Sequence, residues 1–202
     1  MAAMLRNRRA LLIYLLLLSA LVGGLLWRLG DLVPGAGTVI GSGQIQVGGP
    51  FRLVDQNGRT RTDADFRGKY MLVYFGFTHC PDVCPTSLAA MAQALDMIGD
   101  KAARVTPVFI TVDPARDTPQ VVGDYMKAFG PSFVGLTGSQ AAVDAAAKQY
   151  RVYATRRDLP GGQYAMDHSN VVYLMGPDGK IVSYYNDAIT PEILAKDLNA
   201  HL

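Results

Sequence analysis

The two cysteines of this chain share one short turn, Cys80-Pro81-Asp82-Val83-Cys84-Pro85. Two thiols four positions apart can approach one another across a tight turn. They can then share a metal ion or close a small disulfide. The turn follows an apolar run and opens a segment of helical spacing. A helix start leaves amide donors free and carries partial positive charge. A thiolate there is stabilised, its pKa falls, and it becomes a better ligand and nucleophile. A purely structural disulfide is a poor reading, because so short a loop gives little entropic stabilisation. Two buried filler cysteines are a poor reading too, since both fall in this one turn between two prolines.

The elements around the turn follow from hydrophobic period and turn chemistry. Residues 51–62 alternate weakly about Asn57-Gly58, a hairpin turn. Lys69 to Phe77 and Val105 to Val112 read as buried strands, with Pro107 as the awkward residue of the second. Leu88, Met91, Leu95 and Ile98 recur at helical spacing over Pro85 to Ile98. Thr118-Pro119 and Thr190-Pro191 are N-caps followed by proline at the first helical position. They open helices to Phe129 and toward the C-terminus. Phe133 to Leu136 is a short strand, and Gln140 to Tyr150 an Ala-rich helix. Strands at Asn170 to Met175 and Lys180 to Tyr185 join at Pro177-Asp178-Gly179. Strands alternating with helices predict a mixed α/β sheet covered on both faces. The closing hairpin and helix complete a thioredoxin-like domain over residues 50–202.

That fold gives the histidines different prospects. His168 lies in Met166-Asp167-His168-Ser169-Asn170, on the loop entering a strand that runs beside the cysteine turn. His79 adjoins Cys80, but adjacent ligands rarely point the same way, so it reads as a turn residue. His201 sits next to the C-terminus and reads as solvated. Cys80, Cys84 and His168 therefore form a soft three-ligand set suited to Cu(I). Zinc would want a fourth ligand or a water. A tetragonal Cu(II) site would be completed by Asp167 or by a water; Asp167 is otherwise the candidate to orient the imidazole by a hydrogen bond.

The N-terminus differs from the rest. Arg6, Arg8, Arg9 and Arg28 account for the whole basic excess, since the first 28 residues hold no acid. The remaining residues carry 15 basic and 17 acidic side chains. Ala10 to Trp27 is uncharged and Leu-rich, long enough to span a bilayer at the short end of the range. The expected organisation is a cytoplasmic segment 1–9, a transmembrane anchor 10–28, a Gly-rich flexible tether 29–49, and the exported domain. The residues at 23–27 make a poor signal-peptide cleavage site, and no amphipathic presequence precedes the run. Both favour a single-pass inner-membrane protein with its domain in the periplasm. The whole chain is 50% hydrophobic and 18% charged with a net charge of +2. That composition excludes a disordered chain, and it argues against a nucleic-acid binder.

The run from Tyr74 through Cys80 and Cys84 to Thr86, YFGFTHCPDVCPT, resembles the signature of the Sco/SenC family. Val112-Asp113-Pro114-Ala115-Arg116-Asp117-Thr118-Pro119 and Asp167-His168-Ser169 extend the resemblance over Gln46 to Leu202. The family consists of membrane-anchored, thioredoxin-like copper chaperones for cytochrome c oxidase assembly. The resemblance implies copper ligands at Cys80, Cys84 and His168. It also implies a copper-donating chaperone upstream and oxidase subunit II as the acceptor, whose binuclear copper site would be metallated or whose thiols would be reduced. The Asp113–Pro119 element reads here as a strand end and helix cap. The segment from Tyr153 to Tyr164, with Arg156-Arg157, is read as a loop, shorter and more basic than is usual in the family.

Two other functions compete. A thiol–disulfide reductase would use Cys80 to attack and Cys84 to resolve. The three-residue spacer, and the lack of a proline just before the Asn170 strand, count against a general oxidoreductase. A peroxidase would need an Arg and a Ser or Thr set around its cysteine, and none is identified. The anchor has a direct check: carbonate-washed membranes are expected to retain the chain, and release into the soluble fraction would overturn the anchor.

Overall fold

The computed structural model describes residues 46–186 and 189–202. All of them belong to the unit Ala36–Leu202. The expected cytoplasmic segment, the anchor and most of the tether lie outside the described residues. Among the described residues, no helix is long and apolar enough to cross a membrane.

Among the described residues, nine strands and four α-helices follow in chain order. They are β1 (Arg52–Asp55), β2 (Thr60–Thr62), β3 (Tyr70–Gly76), α1 (Val83–Ile98), β4 (Val105–Thr111), α2 (Pro119–Met126) and β5 (Val134–Thr137). Then come α3 (Gln140–Gln149), β6 (Ala154–Asp158), β7 (Tyr164–His168), β8 (Val172–Met175), β9 (Ile181–Tyr185) and α4 (Pro191–His201). Seven strands make one mixed sheet in the order β2-β1-β5-β4-β3-β8-β9. Strands β3, β4 and β5 are parallel, and β1, β8 and β9 run antiparallel to their neighbours. The expected β1–β2 hairpin is present, with Arg52 opposite Thr62.

The apolar central strands are continuous because both faces of the sheet are covered. Leu72, Val73, Tyr74, Phe75, Val108, Phe109 and Ile110 are wholly buried. On one face, Tyr74 and Gly76 lie under α1 and Phe109 meets Tyr125 of α2 at 5.8 Å. Helix α4 packs on α1 on that side. On the other, Phe75 and Tyr173 meet Tyr150, at the end of α3, at 5.3 and 5.7 Å. Pro107 is tolerated in β4 because β5 pairs only from Val108 onward, so one side of β4 is still open there. The caps of α2 and α4 are as expected: Thr118 Oγ1 accepts from Val121 N–H and Thr190 Oγ1 from Ile193 N–H, both at 3.3 Å.

Three differences from the sequence reading have physical causes. Helix α2 stops at Met126 and the chain to Phe129 continues as turns. The end of the expected tether, residues 46–49, is pinned to α3: Gly48 N–H donates to Gln149 C=O at 2.9 Å, and Arg151 Nε to Gln46 C=O at 3.0 Å. The largest difference is at residues 154–168. The expected loop is a two-stranded antiparallel hairpin, β6–β7, outside the main sheet. Its strands lack an alternating apolar face, so no period of two betrays them. Polar pairs hold it instead, with Arg157 on Asp167 at 2.9 Å and Arg156 stacked on the Tyr164 ring at 4.0 Å.

Gly76 is where the sheet and the cysteine helix are closest. A methyl group there would stand 2.8 Å from Cys84 Sγ, 3.0 Å from the Tyr74 ring and 3.2 Å from the Phe109 ring. Gly76→Ala is expected to lower stability by about 1–3 kcal/mol, the usual cost of overpacking a core. Urea unfolding would read this as a lower midpoint at an unchanged slope; an unchanged midpoint would refute it.

Candidate metal-binding site

Strand β3 delivers the chain into the turn that holds the thiols. The Cys80 N–H donates to Phe77 C=O at 3.2 Å, which closes the turn. Helix α1 begins at Val83, two residues earlier than its apolar spacing suggests, so Cys84 lies in its first turn. First-turn amides have no partner within a helix. The Cys84 N–H spends its donor on Cys80 Sγ at 3.4 Å. Pro85 follows where a missing N–H costs nothing. Cys80 is 9% exposed and borders a cleft, whereas Cys84 is wholly buried. Both are free thiols.

The imidazole arrives from the other side. His168 is the last residue of β7, and its Nε2 lies 3.4 Å from Cys84 Sγ. Its Nδ1 stands 3.0 Å from the Ser169 carbonyl oxygen. A carbonyl oxygen only accepts, so Nδ1 carries the proton and Nε2 presents its lone pair to the thiols. The rings of Phe77 and Tyr74 flank His168 edge-on at 5.8 and 6.3 Å. The three ligand atoms all lie within 4.8 Å of one another. Metal–thiolate bonds of about 2.3 Å place two ligands of one ion at most about 4.6 Å apart, and the 3.4 Å between Cys84 Sγ and His168 Nε2 falls inside that limit. Among the described residues, this is the one group of three or more Cys, His, Asp or Glu ligands able to hold a metal. All three residues singled out from the sequence are thus together.

The remaining candidates separate. Asp167 neighbours His168 on a strand, so it points to the opposite face. Its carboxylate pairs with Arg157 on both oxygens, at 2.9 and 3.1 Å. It therefore neither completes the ligand set nor orients the imidazole, and the Ser169 carbonyl does the second job. His79 is an exposed turn residue whose Nδ1 meets Thr78 Oγ1 at 3.1 Å. His201 is half-buried, 3.7 Å from Asp197, with its carbonyl accepting from the Tyr70 hydroxyl.

Two polar networks that the sequence reading assigned only to capping hold the site. The wholly buried Asp117 carboxylate accepts from Thr78 N–H at 3.0 Å, Thr78 Oγ1 at 2.6 Å and Thr111 Oγ1 at 2.5 Å. It fastens the cysteine turn to the end of β4. The Asp113 carboxylate accepts from the Tyr164 hydroxyl at 2.9 Å and from Arg116 Nε. Arg116 also stacks on the Tyr164 ring at 3.7 Å and donates to the Tyr164 carbonyl at 3.0 Å. This network fastens the hairpin that carries His168. The signal for both lay in the polar run Thr111–Thr118, where three acidic or basic side chains follow a buried strand.

The two thiols differ electrically. The hydrogen bond with Cys84, aided by His168 and the backbone amides, holds Cys80 well below the ordinary thiol range. Sharing that bond with Cys80, together with burial, pushes Cys84 up. Burial and the neighbouring Cys84 also push up Tyr74, whose hydroxyl donates to Asn170 Oδ1 at 3.0 Å.

A thioredoxin-like domain with two unequal thiols and an oriented imidazole defines a dithiol–imidazole metal- or redox-active class of protein. The particular family follows from comparison. The SCO1/SenC family profile matches residues 41–202, and the chain belongs to that family. It is 42% identical over 162 residues to SenC of Rhodobacter capsulatus, covering 80% of this chain and 73% of that protein. It is 41% identical over 167 residues to the mitochondrial SCO1 homolog of Homo sapiens, covering 79% of this chain and 54% of the human protein. The match to Schizosaccharomyces pombe sco1, at 42% identity over 163 residues, covers 79% of this chain and 62% of that one. The chain thus spans little more than half of these two relatives. Among solved structures, copper-bound ScoI of Bradyrhizobium japonicum aligns with a TM-score of 0.72 at 46% identity, over 77% of this chain and 99% of that one. Copper-bound yeast Sco1 gives 0.72 at 38%, over 78% and 88%.

The unequal thiols have a consequence for reactivity. In the metal-free reduced chain, Cys80 is expected to react with iodoacetamide at a nearly constant rate from pH 9 down to pH 6. A free thiol loses about tenfold per unit below its pKa of about 8.5. Cys84, protonated and buried, is expected to stay unlabelled in the native state. Peptide mapping checks both, and equal labelling with a common pH dependence would refute the asymmetry.

Proposed function

We propose that the chain is a copper carrier, holding Cu(I) on Cys80, Cys84 and His168 Nε2. The observation that carries this reading is the convergence of two thiols and an imidazole with a free Nε2 lone pair, with Cys80 and His168 lining one cleft and Cys84 buried behind them. The donor set fits the ion: soft thiolates select Cu(I), and three ligands satisfy it. Copper bound in the ScoI and Sco1 relatives supports the same assignment. Asp167 is engaged by Arg157, so a tetragonal Cu(II) site would need a water as its fourth ligand. In this reading the chain is a single-pass inner-membrane protein with its domain in the periplasm. It receives copper from a donor chaperone and serves the binuclear copper site of cytochrome c oxidase subunit II, by metallating it or by preparing its thiols.

The unequal thiols favour a second reading, thiol–disulfide reduction. The Cys80 thiolate would attack an acceptor disulfide and release one acceptor thiolate. Cys84, losing its proton, would then attack the mixed bond and release the second, leaving a Cys80–Cys84 disulfide. The two electrons come from the dithiol, and His168 has no necessary part.

Copper stoichiometry separates the two. The reduced chain, loaded with Cu(I) and dialysed against a competing chelator, is expected to retain about one copper. Cys80→Ser, Cys84→Ser and His168→Ala are each expected to lose it. Full retention by all three variants would rule out this site. No retention by the parent chain, with reactive thiols, would leave the reductase reading.

A further inference from the structure

We propose that the outer edge of β7 is a docking strand: an extended, uncharged, sulfur-bearing segment of the copper acceptor adds to it as a third strand of the β6–β7 hairpin. The proposal rests on the copper-carrier reading and specifies how an acceptor reaches the site. Its geometry follows from the hairpin register. Ser169 N–H donates to Tyr153 C=O at 3.0 Å, and Leu159 N–H donates to Gln163 C=O at 2.8 Å. Ala154 pairs with His168 and Arg156 with Met166. In an antiparallel ladder, alternate residues turn their backbone groups to one side. Residues 163, 165, 167 and 169 therefore bond to β6. Tyr164, Met166 and His168 turn theirs to the opposite edge.

That edge is open where it matters. The Tyr164 C=O on it is used by Arg116 Nη1 at 3.0 Å. Among the described residues, no hydrogen-bond partner falls on the Met166 N–H or C=O, or on the His168 N–H. An exposed strand edge with free donors and acceptors is a template for another strand. The edge looks into a cleft of about 920 Å³ whose opposite wall is Cys80, Pro81 and Val83. Val83 is 44% exposed, an apolar side chain held at the mouth.

The same geometry fixes the chemistry of the occupant. Residues paired across an antiparallel ladder put their side chains on one face, with Cα atoms about 5.5 Å apart in a hydrogen-bonded pair. The side chain opposite His168 therefore lies beside the imidazole, on the face that meets the thiols. A sulfur donor placed there reaches the site, and a second donor at an even spacing shares its face. The cationic groups of the rim are already paired, Arg116 with Asp113 and Arg157 with Asp167. A charged segment would find no free counter-charge there. A β-branched, neutral one fits the apolar Phe77, Val83 and Leu159.

The test uses the 202-residue chain and three acetylated, amidated peptides of sequence Thr-Val-Cys-Val-Cys-Thr. One is unmodified, one is methylated on both cysteine amides, and one on both valine amides. Of the amides methylated, those of the cysteines point at β7 and those of the valines away from it when the cysteines share the face of His168. Methylating them is expected to weaken binding about thirtyfold, the loss of two backbone hydrogen bonds. Methylating the valine amides is expected to leave binding within about threefold. Amide exchange at Met166 and His168 is expected to slow when the unmodified peptide binds. Equal binding of the two methylated peptides, no binding of any, or unchanged exchange at Met166 would overturn the docking strand. Copper retention is measured on the same sample before peptide is added. Its loss overturns the carrier reading, and exchange on the copper-free reduced chain then decides the edge by itself.

Discussion

A single buried carboxylate ties the site to the sheet. Asp117 has no exposed surface, and it accepts from Thr78 N–H and Oγ1 and from Thr111 Oγ1. Its own carbonyl accepts from Thr137 Oγ1 at 2.7 Å. These contacts join the ends of three adjacent strands, β3, β4 and β5, at the edge where the chain enters the cysteine turn. Burying a carboxylate is costly unless donors replace its water. Here three donors do so, and hydrogen bonds to a charged group are about twice as strong as neutral ones. The position of Thr78, two residues before Cys80, is thereby set by the strands rather than by the turn itself.

The imidazole is held by separate means. The hairpin has no share of the main sheet, and its outer surface is mostly exposed. What fixes it is the Tyr164 ring, clasped by Arg116 and bonded to the Asp113 carboxylate. Both acidic anchors, Asp113 and Asp117, sit in the segment between β4 and α2. One short polar segment therefore sets the distance between the thiols and the imidazole. A side chain acting in that segment changes the site without touching any ligand atom.

The legible parts of this protein are those written in apolar periodicity and in turn chemistry. The β3 and β4 runs, the Leu88–Met91–Leu95–Ile98 stripe and the two Thr-Pro caps each state their element locally. The cysteine turn was legible because two rare residues shared it. His168 was legible only through the fold, which brings residues 84 positions apart to 3.4 Å. The hairpin at 154–168 was not. Arg156, Arg157 and Asp158 read as solvated polar chain, and their strand character depends on partners across the turn. The only local sign was Pro160-Gly161-Gly162, whose two glycines adopt positive φ of 79° and 78°. Asp167 misled because adjacency in sequence suggested adjacency in the site, whereas a strand sends neighbours to opposite faces.

In the carrier reading the site must bind its cargo and still give it up, and its ligands are unequally placed for that. Cys84 is enclosed by α1, Gly76 and Tyr74, and no incoming group reaches it first. Cys80 and His168 line the cleft, so in the carrier reading an acceptor would exchange first with one of them. Cys80 favours its thiolate and is therefore a ready ligand and nucleophile. His168 is on the hairpin, whose support is polar contacts more than packed apolar area. Elements with few buried apolar contacts open at lower free energy than core strands. In the carrier reading, His168 would be the ligand whose departure opens the site to the cleft. In the reductase reading the same order holds for electrons: the cleft-side, low-pKa sulfur of Cys80 would attack, and the enclosed one would resolve. The complete burial of one thiol and the cleft-side position of the other would thus give either proposed chemistry the same direction.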